Sequence, residues 1–426
     1  MLAVVKNSWA LLLGMLLLML GNGLQGTLLG VRGAAEGFST GAMSIVMSAY
    51  FLGFLGGSRM APAMIRRVGH VRVFAALASL ISAVLVLYAA APNPIAWALM
   101  RVVIGFCFAG VYVVAESWLN DASTNENRGQ TMSIYLIVQM IGIVTAQGLM
   151  NVADPQGYTL FIIASVLVSI SFAPILLSVS PAPVFERTKP MTLRQLFGVS
   201  PLGFVGAFLL GAIFSALFGM SSIFATQIGL SVREISIFVG SIYLGGMLWQ
   251  YPIGWFSDRM DRRLLITGLN LFGAIVMVIA LLVPGNFIWL LVLAFVVGGV
   301  SNPLYSLYIA YTNDFLEIDD MAAASGGLIF INGIGAIAGP MVLGWMMETW
   351  GPYSFFGYIG GVMFLMTGYA LYRMTQRSAP SVEDTSSYAP IAPTSSPVAV
   401  ELAVEVAVEM ALEEEGNTND TNSTAS

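Results

Sequence analysis

One cysteine and one histidine stand in 426 residues, and only 9% of the side chains carry charge. Cys107 has no second cysteine to pair with, so no disulfide framework forms within the chain, and His70 alone adds too little for a zinc site. A soluble domain has about a quarter charged residues, so the composition excludes an ordinary globular protein. No GxxxxGK(S/T) loop is present, which leaves direct ATP hydrolysis unsupported. Neither a Ser/His/Asp set nor a paired-carboxylate arrangement is visible, so an enzyme is not expected, and neither a catalytic residue nor a metal or cofactor is assigned.

What fills the chain instead is apolar: 57% of residues are hydrophobic. Runs bounded by charge or by Gly/Pro punctuation recur at 9–30, 41–62, 72–91, 95–118, 131–150, 158–178, 201–225, 234–256, 262–283, 286–311, 322–347 and 352–374. Each is long enough to cross a hydrocarbon core as a helix, and none alternates as a barrel strand would. The first run is too long for a removable leader and is read as a retained span. The expected fold class is an all-α membrane protein of twelve transmembrane helices in two pseudo-symmetric six-helix halves.

The halves show in the polar break SPAPVFERTKPMTLRQLFG, Ser180 to Gly198, which divides the spans six and six. The expected organisation is a half at 1–179, a cytoplasmic linker at 180–199, a half at 200–375 and an acidic, disordered cytoplasmic tail at 376–426. Ser39, Ser44, Ile45, Leu52 and Gly53 match Ser231, Ser236, Ile237, Leu244 and Gly245 at a shift of 192, and Asn120-Asp121 matches Asn313-Asp314 at 193. Nine of the 23 acids and one of the 17 bases lie in the tail, so the body is slightly basic. Within the tail, VAVELAVEVAVEMALEEE spaces Glu401, Glu405 and Glu409 four apart, and their repulsion allows at most a transient helix.

Basic residues fix an orientation. With both termini cytoplasmic, fourteen of the seventeen bases fall inside and only Arg32 and Arg233 outside, Arg101 being within a span. The expected place is the bacterial inner membrane.

Two basic loops carry a resemblance. GWFSDRMDRRLL presents Gly254, Asp258, Arg259, Arg262 and Arg263, and PAMIRRVGHVR presents Pro62, Arg66, Arg67, Gly69 and Arg72. With Arg101 and Gly105 four apart in span 4, these motifs resemble the Major Facilitator Superfamily of secondary transporters. VAESWLNDASTNENRG is most similar to its bacterial YcaD-type branch. Asp261 departs from the family's glycine, and Arg66 stands where an acid is usual. The fifth-span GP signature of drug exporters is missing, which puts drug efflux in doubt; a similar element, GAIAGPMVLG, sits in span 11.

An ionisable group inside a span is a functional-site hypothesis by default. Arg101 either snorkels to the headgroups or faces a central cavity, and the resemblance implies the cavity, with an anionic group or a proton carrier as its partner. Glu116 either pairs with a basic loop or carries a proton. Asn22, Gln25, Gln139, Trp249, Asn302, Tyr305 and Asn332 are the polar or amphipathic side chains expected around a substrate, the competing role for each being interhelical hydrogen bonding. In the loops, Asp258 is expected to face Arg128, and Arg66 to face Asp319 and Asp320, forming with Arg259, Arg262 and Arg263 a cytoplasmic gate.

The function expected is alternating-access transport of a small polar or amphipathic organic solute, driven by protons. A non-transporting membrane sensor on the same scaffold is the alternative, and a channel lacks a filter-like repeat. The partners expected are the bilayer, a small molecule and protons, with no nucleic acid, and the chain is expected to act as a monomer.

Overall fold

A computed structural model describes residues 2–121, 123, 128–177, 191–283, 285–377, 388–391 and 395. Among them every regular element is a helix: α1 (Leu2–Ala35), α2 (Thr40–Val68), α3 (His70–Ala90), α4 (Pro94–Asp121), α5 (Arg128–Leu149), α6 (Thr159–Ser171), α7 (Ala173–Leu177), α8 (Leu193–Val199), α9 (Pro201–Gln227), α10 (Val232–Ser257), α11 (Arg262–Leu282), α12 (Phe287–Asn313), α13 (Ile318–Trp350) and α14 (Ser354–Met374).

Each predicted span is found, and the first, second, fourth and eleventh are longer than expected by a turn or more. Eleven helices are long and apolar enough to cross a membrane. The twelfth crossing is α10, of similar length but carrying Arg233, Glu234 and Gln250. Span 6 is broken between α6 and α7, just before Pro174, whose ring lacks the N–H that would continue the ladder. The last residues of the expected linker form α8, capped by Thr192 and anchored by buried Leu196.

The internal repeat extends to the turns. Gly37 and Gly229 both take positive φ, 75° and 81°, a region that favours glycine. Ser39 and Ser231 follow as N-caps, accepting from Ala42 N and Glu234 N.

Packing repeats as well. In the first set α2 lies on α4, α1 on α5 and α3 on α6; in the second α10 lies on α12, α9 on α13 and α11 on α14. Glycine sets the closest crossings. A Cβ on Gly53 would come 1.9 Å from the Val102 carbonyl oxygen, and one on Gly105 1.9 Å from that of Tyr50. At the matching places, Gly245 would meet the Phe295 oxygen at 1.9 Å and Gly298 the Ile242 oxygen at 2.0 Å. Such contacts let helices associate where lipid removes the hydrophobic drive between them.

Large apolar side chains such as Ile95, Leu99, Leu282 and Ile288 face outward, as a lipid-contacting surface requires. An even number of crossings puts both ends of the helical body at the end that carries the two basic loops. That end is called the basic end below.

Candidate functional site

The glycine crossing of α2 and α4 brings Arg101 inward. Its guanidinium is 6% exposed, lies over the Tyr50 ring at 4.9 Å from the centroid and donates to Met47 Sδ at 3.3 Å. Among the described residues no carboxylate pairs with it, and its Nε has no partner. The ionisable groups within electrostatic reach of it are tyrosines: Tyr88, Tyr50 and, from the second half, Tyr243. A desolvated cation over an aromatic face gains about 2 kcal/mol. That recovers only part of the cost of burying the charge, so the site is suited to an anionic or electron-rich partner.

Further along α4, Tyr112 accepts from Asn22 Nδ2 at 3.3 Å, and Asn22 Oδ1 accepts from Gln25 Nε2 at 3.2 Å. Gln25 Oε1 is buried with no partner. Glu116 is fully buried and accepts from Tyr135 of α5 at 3.3 Å; its neighbour Ser117 meets His70 Nε2 at 3.0 Å. Tyr305 of α12 is fully buried, its hydroxyl unpartnered and within electrostatic reach of Glu116. Arg101, Asn22, Gln25, Glu116 and Tyr305 thus belong to the inner faces of α1, α4 and α12. Gln139 is buried on α5.

A cavity of about 450 Å³ lies between α5, α10 and α12 toward the basic end. Met247, Gln250, Gly254 and Asp258 line it from α10 and its end, and Asn302 from α12. Gln250 donates to Ser306 at 3.1 Å, and its own oxygen is unpartnered. Buried polar atoms without partners are hydrogen-bonding capacity held in reserve for water or a ligand.

Two expected site residues lie elsewhere. Trp249 is about 200° around the helix from Met247; it packs on Gly299 and stacks on Phe272, away from the cavity. Asn332 donates to the Ala207 carbonyl at 2.9 Å and so ties α13 to α9. Tyr50, Tyr112, Gln250 and Ser306 were not singled out from the sequence. Spacings of four and seven residues put Arg101, Gly105 and Tyr112 on one face of α4, which could have pointed to Tyr112.

The second basic loop is mostly engaged within its own half. Arg262 is buried, pairs with Asp314, donates to the Ala310 carbonyl and Ser257, and lies 3.7 Å from Asp258. Arg263 grips Asp261 at 2.9 Å and the Arg377 carbonyl at 2.6 Å. Arg259 lies over the Trp255 ring at 4.3 Å. Arg66 and Asp320 are exposed, while the side chains of Arg128 and Asp319 lie outside the described set.

Asp258 accepts instead from the backbone N–H of Tyr388 at 2.7 Å. The reading of residues 376–426 as disordered therefore does not hold for Tyr388–Ile391, which is seated against the bundle. The expected transient helix of 398–415 lies outside the described residues.

At the opposite end the halves are joined. Glu348 of α13 accepts from Gly41 N of α2 at 2.6 Å, Gln227 donates to Thr40, and Asn151 donates to Ser236 at 3.4 Å. A Cβ on Gly30 would collide with Ser222, so α1 and α9 also touch there. The molecule is closed at this end and holds its cavity at the other. Among the described residues no three His, Cys, Asp or Glu side chains cluster as a metal site.

The sequence profile of the Major Facilitator Superfamily matches residues 11–248 and 203–404. An uncharacterised MFS-type transporter of Escherichia coli, YcaD, is 26% identical over 361 residues, covering 83% of this chain and 92% of that protein. Among solved structures, a variant of the nucleoside transporter NupG superposes with a TM-score of 0.75 at 16% identity, covering 86% of this chain and 99% of that one. A D-xylose-proton symporter does so at 0.69 and 14%, covering 89% and 98%. Matched by one family over most of its length and folded as two sets of six crossings, the chain is a multi-pass membrane protein that belongs to the Major Facilitator Superfamily, a transporter and not an enzyme.

Proposed function

We propose that this transporter carries a small polar or amphipathic organic solute across the bacterial inner membrane, coupled to protons, by rocking residues 1–179 against 200–375. The observation that carries the reading is Arg101: a buried cation with no carboxylate partner among the described residues, set between the halves among tyrosines. The solved neighbours support the class of solute and the coupling, since one is named as a nucleoside transporter and another as a D-xylose-proton symporter. Asn22, Gln25, Gln139, Asn302 and Tyr305 supply neutral hydrogen-bonding groups around the charge. Glu116, buried among Tyr112, Tyr135 and Tyr305, is the proton carrier.

The termini are cytoplasmic, so the closed end is periplasmic and the conformation described is open inward. In the opposite conformation Asp258 meets Arg128, and Arg66 meets Asp319 and Asp320. Each exposed pair contributes at most about 1 kcal/mol. Asp258→Arg favours the inward-open state, and adding Arg128→Asp restores part of the balance.

Flux in proteoliposomes tests the reading. Uptake of nucleosides, sugars and small amphipathic acids is screened under an imposed pH gradient, and saturable uptake that collapses with a protonophore is expected. Solute binding without flux would make the chain a sensor instead.

A further inference from the structure

The cavity at the basic end is walled on one side by a distant segment of the chain itself. Tyr388–Ile391 lies along α10 and α12, with Pro390 and Ile391 forming part of the cavity wall. Its backbone is held at both ends: Tyr388 N donates to Asp258 at 2.7 Å, and Ser306 Oγ accepts from Ile391 N at 2.9 Å while donating to Ile391 O at 3.1 Å.

One hydroxyl serving both polar groups of a single residue reads backbone, much as a sheet edge reads an added strand. The side chains fit too. Ile391 is 4% exposed, and the Tyr388 ring sits where a Cβ on Gly254 would come within 2.6 Å. Ser306 also receives the Gln250 amide, so the segment shares the polar network of the cavity wall.

The tether makes this seating easy to reach. Arg377 is fixed at the basic end, donating to the Val199 carbonyl at 3.1 Å and lying over the Phe315 ring at 3.8 Å. Eleven residue steps separate Arg377 from Tyr388. They can span roughly 35 Å, ample for the distance across one cavity mouth. A tethered segment acts at high effective concentration, so modest contacts suffice to keep it seated.

We propose that Tyr388–Ile391 is a plug supplied by the chain itself. Anchored on Ser306, it walls off one side of the cavity beside Gln250 and Asn302 in the conformation open to the basic end, and a solute must displace it to enter or leave there. Its effect on solute rests on the transport reading above, whereas its seating does not.

Labelling tests the seating without any transported substrate. In a Cys107→Ser background, Met247→Cys places one thiol in the cavity wall, and its reaction with a soluble maleimide is timed in three purified proteins: the full chain, the chain ended after Arg377, and the full chain with Ile391→Glu. The truncated and Ile391→Glu proteins are expected to label roughly tenfold faster, the factor for releasing a plug seated nine-tenths of the time. Both variants leave the twelve crossings untouched, and matched thermal unfolding checks this. In the full chain, Ser306→Cys with Ile391→Cys is expected to form a disulfide under mild oxidation. Equal labelling rates in the three proteins, or no disulfide, overturns the plug.

Discussion

Gly53 and Gly105 cross α2 over α4, and Gly245 and Gly298, 192 and 193 residues on, cross α10 over α12 at nearly the same separations. The walls around those crossings differ. At the same shift of 193, Arg101 becomes Ala294 and Glu116 becomes Ile309, whereas Tyr112 is kept as Tyr305. Beside these crossings the first half therefore brings the buried charges Arg101 and Glu116, and the second brings neutral groups, Gln250, Asn302 and Ser306. Repetition has kept what the backbone contact demands, because no side chain larger than hydrogen fits there. It has not kept what the cavity does with its lining, since each wall can differ without disturbing the crossing.

The heaviest blow to this comparison would come from the crossings themselves. Gly105→Leu and Gly298→Leu should each cost more than about 3 kcal/mol, above the usual range for overpacking, because the obstacle is backbone rather than a movable side chain. Expression and thermal midpoint should fall alike in both, and tolerance of one alone would mean that the halves do not share the contact. Next, Arg101→Ala should lower flux about a hundredfold, or about 2.7 kcal/mol, with folding retained. Arg101→Lys should recover only part, since an ammonium lacks the planar fork. Unchanged flux in the Ala variant would remove the charge asymmetry from the mechanism. Glu116→Gln should abolish accumulation driven by a pH gradient, an effect of about tenfold at one unit of gradient, while solute exchange at equal pH continues. If the gradient still drives uptake, the proton travels elsewhere. The smallest effect is expected at Asn332→Ala, where losing one bond between helices costs about 0.6 kcal/mol and leaves flux unchanged. A clear loss of flux there would return Asn332 to the cavity.

The number of crossings was legible because each run is apolar for a whole bilayer thickness, and Arg101 was legible because a charge inside such a run is conspicuous. The facing of each helix was not. A membrane helix is apolar toward lipid and toward its neighbours alike, so Trp249 gave no sign that it lies on the far side of α10 from Met247. Asn332 and Asn302 look equivalent as letters; only packing shows one reaching the Ala207 carbonyl and the other lining the cavity. The seat of Ile391 was hidden for a different reason. Its partners, Asp258 and Ser306, meet the segment's backbone, and a backbone contact leaves almost no trace in the choice of side chain.

Helices that touch through glycine have no rotamers between them to rearrange. Shear across the α2–α4 or α10–α12 contact would drive atoms already at van der Waals distance into each other, so each pair behaves as a stiff spar. Between the halves these contacts fall on side chains: the Glu348 carboxylate on Gly41, the Gln227 amide on Thr40 and the Asn151 amide on Ser236 can all swing, and Gly30 meets the Ser222 side chain rather than backbone. Yielding is therefore easier where side-chain bonds join the two sets of helices than where backbone meets backbone within each pair.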